Sequence, residues 1–294
     1  MSEATTSCLI ASSPMNNNRL NNMKQRLYRL WQWIYKGIPV MKVNAHITTT
    51  NASQRLSGKK ILVTGGSKGI GLQIAERYVQ EGAAVVIVGR NEDALIQASN
   101  KIGCQYIQYD LTDTANLSTL INNAVELLGG LDGLVNNAGI CNIDKGFLNV
   151  TEESYDEQFL LNVKSPFFLT QAFVKHCTEH AVESAGIVFI TSERGMYPDD
   201  APYGMTKAAI GNIIAGIARQ FATKGIHCNA IAPGVTADVQ SHPEIYDDAY
   251  LKGAVGKRYI LPQELAEVAV FLMSDASRCL SGEIIPCNQA NHYK

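Results

Sequence analysis

From Lys59 onward, seven short apolar runs alternate with longer amphipathic stretches. The runs are Ile61–Thr64, Ala84–Val88, Gln105–Asp110, Gly133–Asn136, Ile187–Thr191, His227–Ala232 and Glu283–Cys287. Segments of helical period lie between them, at Gly71–Glu81, Glu92–Ile102, Thr114–Leu128, Glu152–His176, Tyr203–Thr223 and Pro262–Ser274. Parallel strands need a crossover between them, and a helix is the usual one, wound right-handed. Seven strands and six helices in this rhythm predict an α/β fold, a doubly wound and mostly parallel sheet. No internal repeat is present. In such sheets ligands sit beyond the carboxyl ends of the strands, so the loops there are where chemistry is sought.

The first run leads straight into Thr64-Gly65-Gly66-Ser67-Lys68-Gly69-Ile70-Gly71 and then a helix. Glycines allow a tight turn and close backbone approach to a pyrophosphate, which rests where free N–H groups and the helix dipole favour anions. A glycine-rich turn alone is weak evidence, but this one opens a strand–helix–strand unit. Its spacing is G-x-x-x-G-x-G, not the usual G-x-G-x-x-G. Here the chain resembles the short-chain dehydrogenase/reductase (SDR) family, with its T-G-x-x-x-G-I-G loop on a Rossmann-type sheet. Asn136-Asn137-Ala138-Gly139 matches that family's N-N-A-G, which supports the sheet and borders the cofactor. By the same resemblance Asp110 and Leu111 touch adenine, and Pro233, Gly234 and Thr236 lie along the nicotinamide. The likeness runs from about Leu56 to Cys287. It divides the chain into an extension, residues 1–55, and one catalytic domain, residues 56–294.

An NAD site carries an acid at the end of the second strand, to hold the ribose 2′-hydroxyl. This chain reads Val88-Gly89-Arg90-Asn91 there, with no carboxylate before Glu92, and Lys68 adds a charge in the glycine loop. A 2′-phosphate carries about two negative charges, so Arg90, Asn91, Lys68 and the Ser67 hydroxyl suit NADP(H).

Tyr203 and Lys207 stand at i and i+4, one turn apart on one helix face. An unperturbed tyrosine, with pKa ~10, exchanges a proton poorly at neutral pH. A neighbouring ammonium is expected to lower that value and make Tyr203 a usable acid and base. Such a pair recurs by accident, but its companions are informative. The resemblance implies a complete tetrad of Asn162, Ser192, Tyr203 and Lys207, in which Ser192 orients the substrate oxygen and Asn162 anchors a water relay. The nearest functional labels are 3-oxoacyl-carrier-protein reductase-like and carbonyl reductase-like. The expected reaction interconverts a ketone and a secondary alcohol. Two readings stand beside it: oxidation of a hydroxylated sugar or sterol on the same scaffold, and a dinucleotide-binding scaffold protein without turnover. Two departures from the family pattern are visible. Ser192 and Tyr203 are closer in sequence than usual, and the end reads Pro286-Cys287-Asn288-Gln289 where many members have an Asp-Gly-Gly turn. The first bears on the substrate pocket; the second is expected to concern subunit contacts more than chemistry. Val235–Leu261, with Tyr246, Tyr250 and Tyr259, is expected to form the substrate lid.

Other constellations carry less. His176 and His180, at i and i+4, lack the H-E-x-x-H order and a third ligand, so no metal site is expected. Asp199 and Asp200 are adjacent, and neighbouring side chains rarely converge. Cys141 borders the expected cleft, but no base at fixed spacing marks it as a nucleophile. The seven cysteines are scattered without C-x-x-C spacing, which fits a reducing, cytoplasmic compartment.

Charge is uneven. Seven basic residues and one acid, Glu3, precede Lys59, while the remainder holds 18 basic and 26 acidic residues. A net charge of −2 gives no footprint for nucleic acid. Residues 1–18 read as a disordered tail, and Thr48–Gly58 as a polar connector. Arg19–Tyr35 reads as a basic amphipathic helix with Leu20, Met23, Leu27, Leu30, Trp31 and Ile34 on one face. Such a helix suggests peripheral membrane contact, with packing on the protein and an organelle transit peptide as rivals. The resemblance further implies a homodimer or homotetramer built through Glu152–His176 and Tyr203–Thr223.

Overall fold

The computed structural model describes residues 53–142, 146–237, 242, 245 and 248–293, preceded by residues 23, 24, 26–28, 30, 31, 34 and 35. The expected tail, residues 48–52 of the connector and Tyr246 of the expected lid lie outside the described residues. The elements in order are β1 (Lys60–Thr64), α1 (Gly69–Gln80), β2 (Ala84–Gly89), α2 (Glu92–Ile102), β3 (Gln105–Gln108), α3 (Leu117–Leu128) and β4 (Gly133–Asn136). They continue with α4 (Glu152–Phe159), α5 (Ser165–Glu179), β5 (Ala185–Ile190), α6 (Pro202–Phe221), β6 (Ile226–Pro233), α7 (Pro262–Met273) and β7 (Ile284–Cys287).

All seven strands form one parallel sheet in the order β3-β2-β1-β4-β5-β6-β7. The order reverses between β1 and β4, where a crevice opens at the strands' carboxyl ends. Central strands covered on both faces need apolar residues throughout, and β4 and the last four residues of β1 are buried. At the edge, β3 is exposed at Gln105 and Gln108. One core fills the face under α1, α2 and α7; a second fills the face under α3, α5 and α6.

The sequence period suggested one helix over Glu152–His176. Instead α4 and α5 are joined by a π-helical turn, Leu160–Lys164. Pro166 has no N–H to give the carbonyl four residues back. The Ser165 hydroxyl donates to Leu160 O five residues back, at 2.8 Å. Likewise the stretch before α3 is a 3-10 turn, Thr114–Asn116, not α-helix.

Ahead of Leu56, the Ser53 and Arg55 N–H groups donate to the Glu81 carboxylate at 3.1 and 3.0 Å. Glu81, fully buried, also pairs with Arg55 and Arg77, each at 2.7 Å. Both arginines reach Glu267 on α7 as well. This cluster ties the start of the domain to α1 and α7. The described residues of 23–35 are helical; Leu27, Leu30, Trp31 and Ile34 are exposed, and the rings of Tyr28, Trp31 and Tyr35 follow one another at 6.2 and 5.7 Å.

Candidate active site

The glycine loop joins β1 to α1 at the switch point. Gly65 and Gly69 have φ of 64° and 56°, a left-handed backbone that glycine takes without a Cβ penalty. A Cβ on Gly71 would strike Gly65 O and the Asn137 carboxamide. Asn137 is the loop's clamp: its Nδ2 donates to Thr64 O at 2.9 Å and Gly65 O at 3.1 Å. The Thr64 hydroxyl accepts from the Asn137 and Ala138 N–H groups. No side chain caps α1, and its first turn carries no acid. The helix N-terminus thus faces the crevice as an anion site, which fits a dinucleotide pyrophosphate.

At the adenosine end the placements differ. Lys68 and Arg90 are exposed, and a Cβ on Gly89 would lie 3.7 Å from the Ser67 hydroxyl. Ser67 and Arg90 therefore flank the end of β2. Asn91 accepts from Ala94 N at 2.9 Å, so its side chain caps α2. Asp110 accepts from the Thr112 N–H and hydroxyl; the backbone bond is the main cause of its lowered pKa, with Arg90 adding to it. Leu111 is buried in the core. Arg90 and Asp110 line one depression with Gln108, Tyr109 and Asp113.

A second cavity of about 270 Å³ gathers Ile70, Asn137, Gly139, Ser192, Tyr203, Lys207, Pro233, Gly234 and Thr236. Ser192 follows β5 with extended backbone and hydrogen-bonds Tyr203. Lys207 is buried; its Nζ donates to Ile190 O at 3.0 Å and stands 5.5 Å from the Tyr203 ring centroid. Burial draws the Lys207 pKa down to about 8. Burial also raises Tyr203, against the lowering pull of Ser192 and Arg194. The expected depression by Lys207 is therefore not what this structure has. Desolvation disfavours phenolate more than its neighbours favour it.

Asn162 sits behind this cavity in the π-helical turn. Its Oδ1 accepts from Ile140 N at 2.9 Å, and its Nδ2 donates to Ile140 O at 2.8 Å and to the Thr206 hydroxyl at 3.2 Å. Asn162 thus holds the backbone after N-N-A-G against α6. The turn that places it is not legible in sequence period, and π-turns often mark functional sites.

Two further residues belong to the site. Arg194 pairs with Asp199 through Nε at 2.5 Å and Nη2 at 2.7 Å, and its Cζ lies 5.3 Å from the Tyr203 ring centroid. Asp199 turns inward and Asp200 outward, so they form no dyad. Glu193, beside Ser192, is buried and accepts from Asn291 near the C-terminus at 2.6 Å. This bond ties the C-terminal turn to the segment after Ser192. The short polar spacing between Ser192 and Tyr203 was the available signal; the contact 98 positions away was not. His176 is buried with its ring 4.5 Å from that of His180, and among the described residues no group of His, Cys, Asp and Glu could hold a metal.

Comparisons agree with this geometry. A family model described as Enoyl-(Acyl carrier protein) reductase matches residues 65–289. The 3-oxoacyl-[acyl-carrier-protein] reductase FabG of Thermotoga maritima is 31% identical over 240 residues, covering 79% of this chain and 96% of that protein. The 3alpha-hydroxysteroid dehydrogenase of Mediterraneibacter gnavus is 31% identical over 251 residues, covering 80% and 97%. A solved short-chain type dehydrogenase/reductase from Mycobacterium marinum superposes with a TM-score of 0.73 at 26% identity, covering 80% and 96%. Sheet order, glycine loop and these likenesses together mean that the chain belongs to the short-chain dehydrogenase/reductase family, oxidoreductases that use a nicotinamide dinucleotide.

Proposed function

We propose that this protein is an NADP(H)-dependent oxidoreductase that interconverts a ketone and a secondary alcohol, with Tyr203 as acid and base. The observation that carries the reading is the convergence of Ser192, Tyr203 and Lys207 on one cavity bordered by Gly234. The Gly65–Gly71 loop, Asn137–Gly139, Asp110 with Leu111, and Pro233–Thr236 would hold the dinucleotide. Bound there, its nicotinamide gives or takes the hydride. Ser192 orients the substrate oxygen. Tyr203, its pKa raised by burial, keeps its phenolic proton at neutral pH and delivers it to that oxygen during reduction. Lys207 would hold the nicotinamide ribose with its ammonium and keeps positive charge beside the phenol. Asn162 fixes the backbone through which a water relay would reach Lys207.

The choice of NADP(H) rests on Arg90, Lys68 and Ser67, with no acid at the end of β2. Oxidation of a hydroxylated sterol is the second reading, favoured by the hydroxysteroid-oxidising relative. Turnover of a ketone panel and a hydroxysteroid panel with NADPH, NADH and their oxidised forms separates these readings. We expect ketone reduction, and NADPH ahead of NADH by at least tenfold in kcat/KM. Arg90→Ala removes most of that preference. NADH preference in the parent protein contradicts the assignment, and binding without any turnover points to a scaffold.

Assembly as a homodimer or homotetramer is also proposed, through α4, α5 and α6. Tyr155, Phe167 and Phe168 are exposed there, and Phe159, Phe167 and Phe168 line a groove of about 680 Å³. The basic, aromatic 19–35 segment is proposed as a peripheral contact with anionic membrane surfaces. Among the described residues no helix is long and apolar enough to cross a membrane.

A further inference from the structure

Three segments meet at the C-terminal turn. The first is the end of the catalytic strand. Glu193 follows Ser192 directly and is 5% exposed, with its Oε1 accepting from Asn291 Nδ2 at 2.6 Å. The second is the nicotinamide-side segment. Gly234 N donates to Cys287 O at 3.1 Å. A Cβ on Gly234 would lie 2.9 Å from Asn288 Cβ and 3.3 Å from Glu193 Oε2. The third is the segment 249–260, part of the expected substrate lid. Val255 N donates to Asn291 Oδ1 at 3.3 Å. With its amide oriented to satisfy both partners, Gln289 accepts from Arg258 at 2.8 and 2.9 Å.

The turn itself is built for this. Gln289 and Ala290 have φ of 52° and 65°, a left-handed backbone that non-glycine residues hold only where surrounding contacts enforce it. Asn288 and Asn291 are buried, and Asn291 N donates to Asn288 O at 3.1 Å. A carboxylate is costly to bury, and among the described residues only one of its oxygens has a protein donor; Oε2 lies at Gly234 without one. A purely structural contact between strand and tail could be made by apolar residues at less cost. The Asn291 carboxamide has one end on Glu193 and the other on the loop, so it transmits position from one to the other.

We propose that Glu193 and Asn291 are positioning residues: together they hold the substrate loop, residues 249–260, in register with Ser192. The proposal rests on the reading of Ser192 as the group that orients substrate. Loss of either residue loosens the loop and weakens substrate binding, while proton and hydride transfer in the bound complex change little.

The test uses the full chain and the variants Glu193→Ala, Asn291→Ala, the double variant and Glu193→Gln. Amide hydrogen exchange is followed by mass spectrometry with NADPH present. Glu193→Ala should speed exchange of residues 249–260, which Glu193 does not itself bond, by about tenfold, as expected for one lost buried hydrogen bond. Asn291→Ala should loosen both that loop and residues 190–196, and the double variant no more than Asn291→Ala alone. Glu193→Gln keeps an acceptor for Asn291 and recovers most of the loss. With ethyl acetoacetate as ketone probe, KM should rise about tenfold in Asn291→Ala with kcat within about threefold, the pattern of lost binding rather than lost chemistry. Parental exchange of 249–260 in folded Glu193→Ala and Asn291→Ala overturns the proposal, as does a fall in kcat at constant KM. If Glu193→Ala does not fold, Asn291→Ala and Glu193→Gln still decide. If the parent protein reduces no ketone at all, the functional reading fails and the exchange comparison judges the coupling by itself.

Discussion

Tyr203 and Lys207 are perturbed by the same cause in opposite senses: burial raises the phenol and lowers the ammonium. A phenol with a raised pKa stays protonated at neutral pH but is a weaker acid. It gives up its proton only to the developing alkoxide, a stronger base than phenolate, and becomes a base only at high pH or beside an added positive charge. Tyr203→Phe should abolish turnover while leaving NADPH affinity, followed by fluorescence titration, within about threefold. Retained reduction would remove Tyr203 as proton donor. Lys207 sets the alkaline limit. With its pKa near about 8, reductive kcat/KM should fall about tenfold per pH unit above that value, and a flat profile to pH 10 would contradict its role. The same shift concerns stability. The unfolded chain binds the Lys207 proton up to about 10.5 and the folded one only to about 8, so the charge destabilises the fold below that window. Lys207→Met should therefore stabilise the protein by on the order of 2 kcal/mol at pH 7, seen as a higher melting temperature, although turnover is lost. Its advantage should shrink as pH rises from about 8 to about 10.5, where both states are neutral.

Elements are held where the site needs them by a few polar clamps, buried or half-buried. Asn137 ties the glycine loop to β4, Asn162 ties the next loop to α6, and Glu81 gathers Ser53, Arg55 and Arg77 at the end of α1. Glu81 is the most consequential for stability. The Arg55 guanidinium, chiefly, draws its pKa down from 4.5 to about 2. Glu81→Gln leaves two arginines with one of their two shared anions, Glu267, and should cost about 3 kcal/mol, measured by denaturant unfolding at pH 7. A depressed carboxylate stabilises the fold above its unfolded pKa. The gap between parent and Glu81→Gln should thus hold above about pH 5 and close as pH falls from about 4.5 to about 2. A gap unchanged at pH 3 would contradict this account.

At the scale of the molecule, we propose that the extension and the catalytic domain are separate units. The clamp on Glu81 begins at Ser53, so a chain lacking residues 1–50 keeps every contact described for the domain. We expect that truncation to retain NADPH-dependent turnover and its melting temperature, and to lose sedimentation with anionic liposomes at low salt. Each Lys or Arg near an anionic surface contributes ~1 kcal/mol, so the binding should weaken as salt rises. Failure of the full chain to sediment would remove the membrane proposal. Unfolding of the truncated chain would place residues 1–50 within the globule.

Strand positions, the glycine loop and the Tyr203–Lys207 pair were legible in the sequence because each depends on local pattern, whereas Asn162 and Ser192 were singled out only through the resemblance to the family. Apolar runs of strand length, glycines at a strand–helix junction and an i, i+4 pair carry their meaning within a few neighbouring residues. Three things were not local. The π-helical turn that aims Asn162 leaves the apolar period almost unchanged over Glu152–His176. The direction of the Tyr203 shift depends on how deeply the phenol is buried, and tertiary packing alone sets that. The bond between Glu193 and Asn291 joins residues 98 positions apart, through a turn whose sequence departs from the family pattern. Local pattern, with the family resemblance, therefore named the candidate groups. Their protonation and their alignment were decided by what the fold packs around them.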